Sequence, residues 1–273
     1  MKRLKLLRVL RILLLICLVL GIYIFIEPYW LETRFIEFEN KDIPYSFNGK
    51  KIVFVSDIHH GPNFSRARVQ SLVKHVNDLK PDIILLGGDY IEGAKYALAC
   101  FEELKNLNAP LGKFGVLGNH DHWENEVDVR EGMKSAGIKI LDNKAQWITI
   151  KGGGIKIGGV GDMYADNQNI KPTVNDVQEE DFVILLSHNP DYVEEIKNYK
   201  VDIVLSGHTH GGQVTLFGQW APVIPSNYGQ KYRVGEVRTD YTKVYISRGI
   251  GSTGIPIRFF SRPEVTVFNL KKK

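Results

Sequence analysis

A chain of 273 residues can hold one large domain, and nothing in its composition suggests a second. Its formal charge of +4 sits at the two ends: Lys2, Arg3, Lys5, Arg8, Arg11 and Lys271 to Lys273 contribute eight positive charges, which leaves residues 12–270 at −4. With no basic stripe and no aromatics interleaved with cations, that mildly acidic body excludes an obvious nucleic-acid surface, and no nucleic-acid partner is expected.

The first element explains the N-terminal charge. Ile12 to Ile26 is a run of fifteen uncharged, mostly apolar residues, shorter than the ~20 that usually span hydrocarbon. Arg11 can snorkel, and Tyr29 and Trp30 supply an interfacial belt. A cleaved signal peptide is the alternative. However, no small-x-small site follows the run, and Cys17 is preceded by Ile16 rather than by a small residue. The expectation is an uncleaved, single-pass signal anchor over residues 1–30. The positive-inside rule then leaves the N-terminus cytoplasmic and the body on the outer face of the cell membrane. Residues 31–50 read as a connecting segment with an edge strand near Arg34–Glu39, and residues 51–273 as the catalytic domain. Cys17 and Cys100 fall in the apolar run and on an expected helix, so a disulfide between them is not expected.

In the body, five short apolar runs begin at Ile52, Ile83, Gly115, Val183 and Ile203, and look like strands buried on both faces. They end in Ser56-Asp57-Ile58-His59, Gly87-Gly88-Asp89, Gly118-Asn119-His120-Asp121, Ser187-His188-Asn189 and Ser206-Gly207-His208-Thr209-His210. Helical spacing of Val69, Leu72, Val73, Val76 and Leu79, and of Leu98, Phe101, Leu104 and Leu107, places helices between the first three runs. A further helix is expected within 125–136. Two strands flank the turn Lys151-Gly152-Gly153-Gly154, and more are expected near 212–217, 243–248 and 264–270. Strands alternate with helices early and crowd together late, and two packed mixed sheets covered by helices accommodate both.

Ligands collect beyond the carboxyl ends of such strands. Of eight histidines, seven (His59, His60, His120, His122, His188, His208 and His210) lie in or beside these five ends. Any one alone reads as an ordinary turn or core histidine, but five segments agreeing in type and position point to a cluster of divalent metal ions. His75, on a helix, reads as structural or surface. Gly87, Gly88, Gly118 and Gly207 allow sharp turns where a side chain would crowd the metals.

Taken in order, Asp57-x-His59, Gly88-Asp89, Gly118-Asn119-His120-Asp121, His188 and Gly207-His208-x-His210 resemble the calcineurin-like metallophosphoesterase superfamily over residues 51–211. Ser206 to Gln213, Ser247-Arg248-Gly249-Ile250-Gly251, Pro256-Ile257-Arg258 and Arg262-Pro263-Glu264-Val265 further resemble its membrane-linked bacterial branch, described as UDP-diacylglucosamine hydrolase-like. The resemblance implies an α/β, four-layer αββα sandwich of two mixed β-sheets flanked by helices. It implies one ion held by Asp57, His59, Asp89 and His210, and a second held by Asp89, Asn119, His188 and His208. Mixed carboxylate, amide and imidazole ligands suit Mn2+, Fe or Zn2+. A bridging Asp89 sets the ions about 3.5–4 Å apart, where they deliver a metal-bridged hydroxide to phosphorus. By the same resemblance His120 serves the leaving-group oxygen, and Asp121 is expected to orient it through a hydrogen bond, a helix-start aspartate being the alternative. His60 and His122 lie outside the ligand set and read as substrate contacts or solvated surface groups. Arg248 and Arg258 read as surface ion pairs or as phosphate contacts.

The expected function is therefore hydrolysis of a phosphoester or pyrophosphate by a membrane-anchored, dinuclear-metal phosphoesterase. Its partners are a phosphorylated small-molecule or lipid-linked substrate at the membrane or envelope, and the membrane itself through the N-terminal helix. The alternatives are a metal-dependent nuclease or phosphodiesterase, which the acidic body disfavours, and a non-catalytic phospho-ligand-binding protein, in which a broken metal set is expected.

Overall fold

In the runs that were read as strands, successive side chains enter two different cores. The computed structural model describes residues 2–273. Ile52 and Phe54 of β2 (Lys51–Val55) pack with Ile83 and Leu85 of β3 (Ile83–Leu86) in one core, while Val53, Val55, Ile84 and Leu86 face another. A period of two with both sets apolar describes a sheet covered on both sides.

Two six-stranded sheets result. The first runs β1 (Glu32–Asn40), β12 (Glu264–Lys272), β2, β3, β4 (Lys113–Gly115) and β5 (Ile138–Ile140). The second runs β10 (Gly235–Arg238), β11 (Lys243–Ile246), β9 (Ile203–Ser206), β8 (Val183–Leu186), β7 (Gly153–Gly159) and β6 (Lys144–Ile150). β2, β3, β4 and β5 are mutually parallel, as are β7, β8, β9 and β11, while β12 against β2, β6 against β7 and β10 against β11 are antiparallel. Both sheets are thus mixed.

The inner core joins the sheets, with Phe54, Leu85 and Phe114 meeting Ile157, Ile184 and Leu205. Outside the first sheet lie α2 (Arg66–Asp78), α3 (Ala97–Leu104) and α4 (Asn119–Ser135), which bury Val69, Val73, Val76, Phe101, Leu104, Val129 and Met133. Outside the second sheet the cover is thinner: the short α5 (Lys171–Val174) and the 3-10 turn Pro190–Glu195, which packs Tyr192 and Val193 against Val183 and Val204. The architecture is the αββα sandwich.

The stretch expected as a connection contributes β1, the edge strand, which pairs parallel to β12 over its nine residues. α1 (Lys2–Ile26) precedes it, with no buried residue and an apolar segment long enough to cross a membrane. The strand expected near 212–217 does not form. Gly211, Gly212, Gln213, Phe217 and Gly218 all take positive φ, which curls the backbone, and only isolated bridges from Val214 to Phe259 and from Leu216 to Trp220 remain. α4 begins six residues earlier than the expected 125, at Asn119, and is interrupted at Asn125 (φ −172°, ψ 90°).

Candidate metal centre

The carboxyl ends of β2, β3 and β4 in one sheet and of β8 and β9 in the other face one another across the top of the inner core, and every residue expected as a ligand is buried there. The backbone aims them. Asp57, His59, Asp89, His208 and His210 all adopt positive φ, between 47° and 69°, a region non-glycine residues rarely enter. Strain of this kind persists where the surroundings over-determine it, as at ligand clamps. Room is just as tight: a Cβ on Gly118 would lie 2.2 Å from Asp89 Oδ1, and one on Gly207 would lie 2.2 Å from Asp57 Oδ2.

The side chains form two donor sets that meet at one carboxylate. Asp57, His59 and His210 offer atoms within 4.8 Å of one another, as do Asp89, His188 and His208. Asp89 Oδ2 lies 3.5 Å from His59 Nε2 in the first set and 3.2 Å from His188 Nε2 in the second. His59 Nε2 is 3.1 Å from His210 Nε2, and His188 Nε2 is 3.2 Å from Asn119 Oδ1 and 3.3 Å from His208 Nδ1. Ligands about 2.1 Å from a shared ion stand about 3.0–3.4 Å apart, so this spacing suits a common cation.

Tautomers assigned from the hydrogen-bond network make the same point. His188 Nδ1–H donates to the Gly87 carbonyl (2.7 Å), and His59 Nδ1–H donates to Glu92 Oε2 (2.7 Å). In the neutral form each Nε2 presents a lone pair to a carboxylate oxygen, an arrangement that either a proton or a bound cation relieves. Asp57 Oδ2 and His208 Nε2 are buried polar atoms without a protein partner. The residues present fit a pair of divalent ions. The free carboxylate oxygens are aimed by neighbouring ligand segments, since the backbone N–H of His208 donates to Asp57 Oδ1 and that of His120 donates to Asp89 Oδ1, each at 2.9 Å.

Protonation follows the same electrostatics. Burial alone would raise the Asp89 carboxyl, but His188 and His59 hold it well below the usual carboxylate range. Burial opposes charging His188, yet Asp89 and Asp57 push its pKa well above the ordinary value. Burial, with His188 nearby, drives His208 down to about 3, and burial with His59 and Arg258 drives His210 well below its usual value. Burial opposes charging His59 too, yet its hydrogen bond to Glu92 and the Asp89 charge raise its pKa, so the positive charge of the cluster gathers on the two imidazoles beside Asp89.

His120 sits at the rim, half-buried, with its ring stacked edge-on to His59 at 4.8 Å and against the exposed Trp123 at 5.3 Å. The Asp121 hydrogen bond expected to orient it is absent. Asp121 accepts instead from the backbone N–H groups of Asp89, Tyr90 and Gly118, at 2.8, 2.8 and 2.9 Å, which makes it a helix-start aspartate that also ties β3's end to α4. Burial and the Asp89 charge push its pKa up to about 7. The carboxylate that faces His120 is Glu92, whose Oε2 lies 3.3 Å from His120 Nδ1 as well as 2.7 Å from His59 Nδ1. Sequence reasoning missed Glu92. The available signal was its place three residues beyond Asp89 in the same strand-end loop.

His60 is buried, and His122 is half-buried with little of its side chain exposed. His60 Nδ1–H donates to the Phe64 carbonyl (2.7 Å), and the His122 side chain pairs with Glu126 (3.1 Å). The two arginines are not surface groups either. Arg248 joins Glu264 and Glu32 at 2.6 and 2.7 Å. Arg258 is fully buried, and its guanidinium donates to the carbonyls of Ser261, Arg248 and Gly251 while lying 3.4 Å from His210 Nδ1. Among the described residues both cysteines are free thiols, Cys100 buried and Cys17 exposed.

Comparison with known proteins agrees with this geometry. Residues 50–212 match the family described as calcineurin-like phosphoesterase. An uncharacterised metallophosphoesterase of Bacillus subtilis, YkuE, is 35% identical over 90% of this chain and 88% of its own length. The phosphodiesterase YaeI of Escherichia coli is 32% identical over 89% of this chain and 90% of its own. A transmembrane protein with a metallophosphoesterase domain from Danio rerio is 31% identical over 87% of this chain, which spans only 56% of that relative. With two donor sets joined at Asp89 and a family match covering all five ligand segments, this chain belongs to the calcineurin-like phosphoesterase family and is a metal-dependent phosphoester hydrolase.

Proposed function

We propose that the chain is a membrane-anchored, dinuclear phosphoesterase that hydrolyses a phosphoester or pyrophosphate of a membrane- or envelope-associated substrate. The observation that carries this reading is the position of Asp89 Oδ2, 3.5 Å from His59 Nε2 and 3.2 Å from His188 Nε2, as befits a carboxylate shared by two ions. Asp57, His59, Asp89 and His210 hold one ion, and Asp89, Asn119, His188 and His208 hold the other. When bound, such a pair (Mn2+, Fe or Zn2+) activates water near neutral pH and draws charge from the phosphoryl oxygens. His120 Nδ1 faces Glu92, which leaves Nε2 to hold a proton for the leaving-group oxygen. Asp121 keeps the β3 and β4 segments in register beneath it.

In this reading residues 1–30 are the anchor, 31–50 the connection and 51–273 the catalytic domain. Support for the anchor comes from α1, apolar and unburied, and from the Danio rerio relative described as a transmembrane protein. The basic residues at the start of α1 favour a cytoplasmic N-terminus and an outward-facing catalytic domain. The name of the Escherichia coli relative makes a diester the first substrate class to try. The branch likeness at Ser247–Gly251 and Pro256–Arg258 adds the pyrophosphate of a nucleotide-linked lipid. The test is turnover by the full chain in detergent, stripped of metal and reloaded with Mn2+ or Zn2+, on a monoester, a diester and a pyrophosphate. Metal-dependent hydrolysis of one class above the others is expected. A folded, reloaded chain inert on all three and on their lipid-borne forms overturns the reading.

A further inference from the structure

Beside the metal centre lies an exposed apolar surface that no catalytic role explains. Residues 211–230 contain no charged side chain and no histidine in a chain that is 24% charged. Within this stretch Leu216, Phe217, Trp220 and Val223 are exposed, joined by Ile255 and Phe260 from the neighbouring loop, at 38–73% accessibility. The tip is a tight turn. Leu216 N–H donates to the Trp220 carbonyl (2.6 Å) and Gln219 N–H to that of Leu216 (3.0 Å), and Phe217 is held at φ 50°. A bulky aromatic kept in the left-handed region while two-thirds exposed is a strained way to display an apolar ring.

The surface is continuous with the end of α1. Tyr23, one turn from the end of that helix, packs on Phe259 at 5.8 Å and on Phe260 at 5.6 Å, and Phe260 stacks on Phe217 at 5.4 Å. The join is also hydrogen-bonded. Arg258 N–H donates to the Ile24 carbonyl (3.1 Å), and the buried Glu27 carboxylate accepts from Phe260 N–H (2.7 Å) and Ser261 N–H (2.6 Å). On its other side the same loop reaches the metal ligands, through Ser261 Oγ donating to the His210 carbonyl at 2.9 Å.

We propose that the loops at 213–224 and 254–260 are an interfacial docking surface for the bilayer that α1 enters, and that they seat the metal centre at the headgroup layer. A soluble chain rarely leaves an apolar patch of this kind uncovered, and rings flanking a membrane-entering helix belong at the depth where that helix leaves the hydrocarbon. Because the loop at 258–261 is hydrogen-bonded directly to the end of α1 with no spacer between them, the domain is drawn against the surface rather than held off it. The phosphoesters of membrane amphiphiles then reach the centre without leaving the membrane. This rests on the membrane reading of α1 given above.

The experiment uses the full chain in vesicles of phosphatidylcholine and phosphatidylglycerol containing brominated phosphatidylcholine, with tryptophan quenching as the readout. Trp220→Phe and Trp30→Phe are compared with the parent chain, since Trp30 marks the end of α1 and Trp220 the patch. Both residues are more than half exposed, so these substitutions leave packing intact. Loss of a quenched component in Trp220→Phe is the expected result. Quenching that falls in Trp30→Phe but not in Trp220→Phe overturns the docking surface while leaving the anchor standing. Quenching altered by neither substitution overturns the anchor and the docking surface together. Phe217→Ser is then expected to lower turnover of a p-nitrophenyl phosphodiester carried on an alkyl chain in the vesicle by about tenfold relative to soluble bis(p-nitrophenyl) phosphate. An unchanged ratio overturns the placement of the centre at the headgroups.

Discussion

Glu92 holds His59: its Oε2 lies 2.7 Å from His59 Nδ1, and that contact decides which ring nitrogen of His59 can bind a metal. The same oxygen reaches His120 Nδ1 at 3.3 Å, so one carboxylate aligns both an expected ligand and the histidine proposed to serve the leaving group.

Replacing Glu92 therefore acts on both. Outer partners of ligating histidines are worth about 10–100-fold in metal affinity or activity. Glu92→Ala is expected to lower metal affinity at the Asp57 side and turnover within that range, and Glu92→Gln, which keeps an acceptor, to lose less. Titration of metal content together with kcat checks this. Equal behaviour of Glu92→Ala and the parent chain removes the role.

Asp121 divides structure from chemistry. Removing its carboxylate strands three buried backbone N–H groups, a loss of about 3 kcal/mol or more. Asp121→Ala is expected to lower the thermal midpoint of the metal-free chain. A variant with unchanged stability but a shifted pH profile of kcat restores the orienting role expected from sequence.

Gly207→Ala is expected to exclude metal from the Asp57 set, because its Cβ would stand 2.2 Å from Asp57 Oδ2. Gly118→Ala acts on Asp89 Oδ1 in the same way. Metal content per folded chain is the readout, and full loading of both variants contradicts the packing argument.

Glu27 joins the end of α1 to the loop behind His210. Glu27→Gln retains one good acceptor for two buried N–H donors and is expected to cost about 1–3 kcal/mol of stability. Hydrogen exchange at Phe260 and Ser261 in the full chain checks it, with faster exchange at both expected.

What was legible in the sequence was residue type at strand ends. Asp57, His59, Asp89, Asn119, His188, His208 and His210 could be picked out because each follows a short apolar run, and the two-sheet sandwich followed from the change in strand and helix rhythm along the chain. What was not legible depends on direction. Adjacency suggested that Asp121 serves His120, but consecutive helical residues point about 100° apart and do not face each other. Glu92 stands three residues beyond Asp89, but that spacing does not show that its side chain turns back onto His59. The positive φ at five ligand residues leaves no mark when the residue is Asp or His rather than Gly. Around 212–217, apolar alternation at Val214 and Leu216 looked like a strand, and positive φ on either side turned it into a displayed tip.

The central claim is that one carboxylate, Asp89, serves two ions. Its most direct test is metal stoichiometry and phosphoester turnover of the full chain beside Asp89→Asn, measured on the same preparations after stripping and reloading with Mn2+. The account predicts two ions per parent chain, fewer in Asp89→Asn, and a loss of turnover of about 100-fold or more. Two ions and parental turnover retained by Asp89→Asn would contradict it.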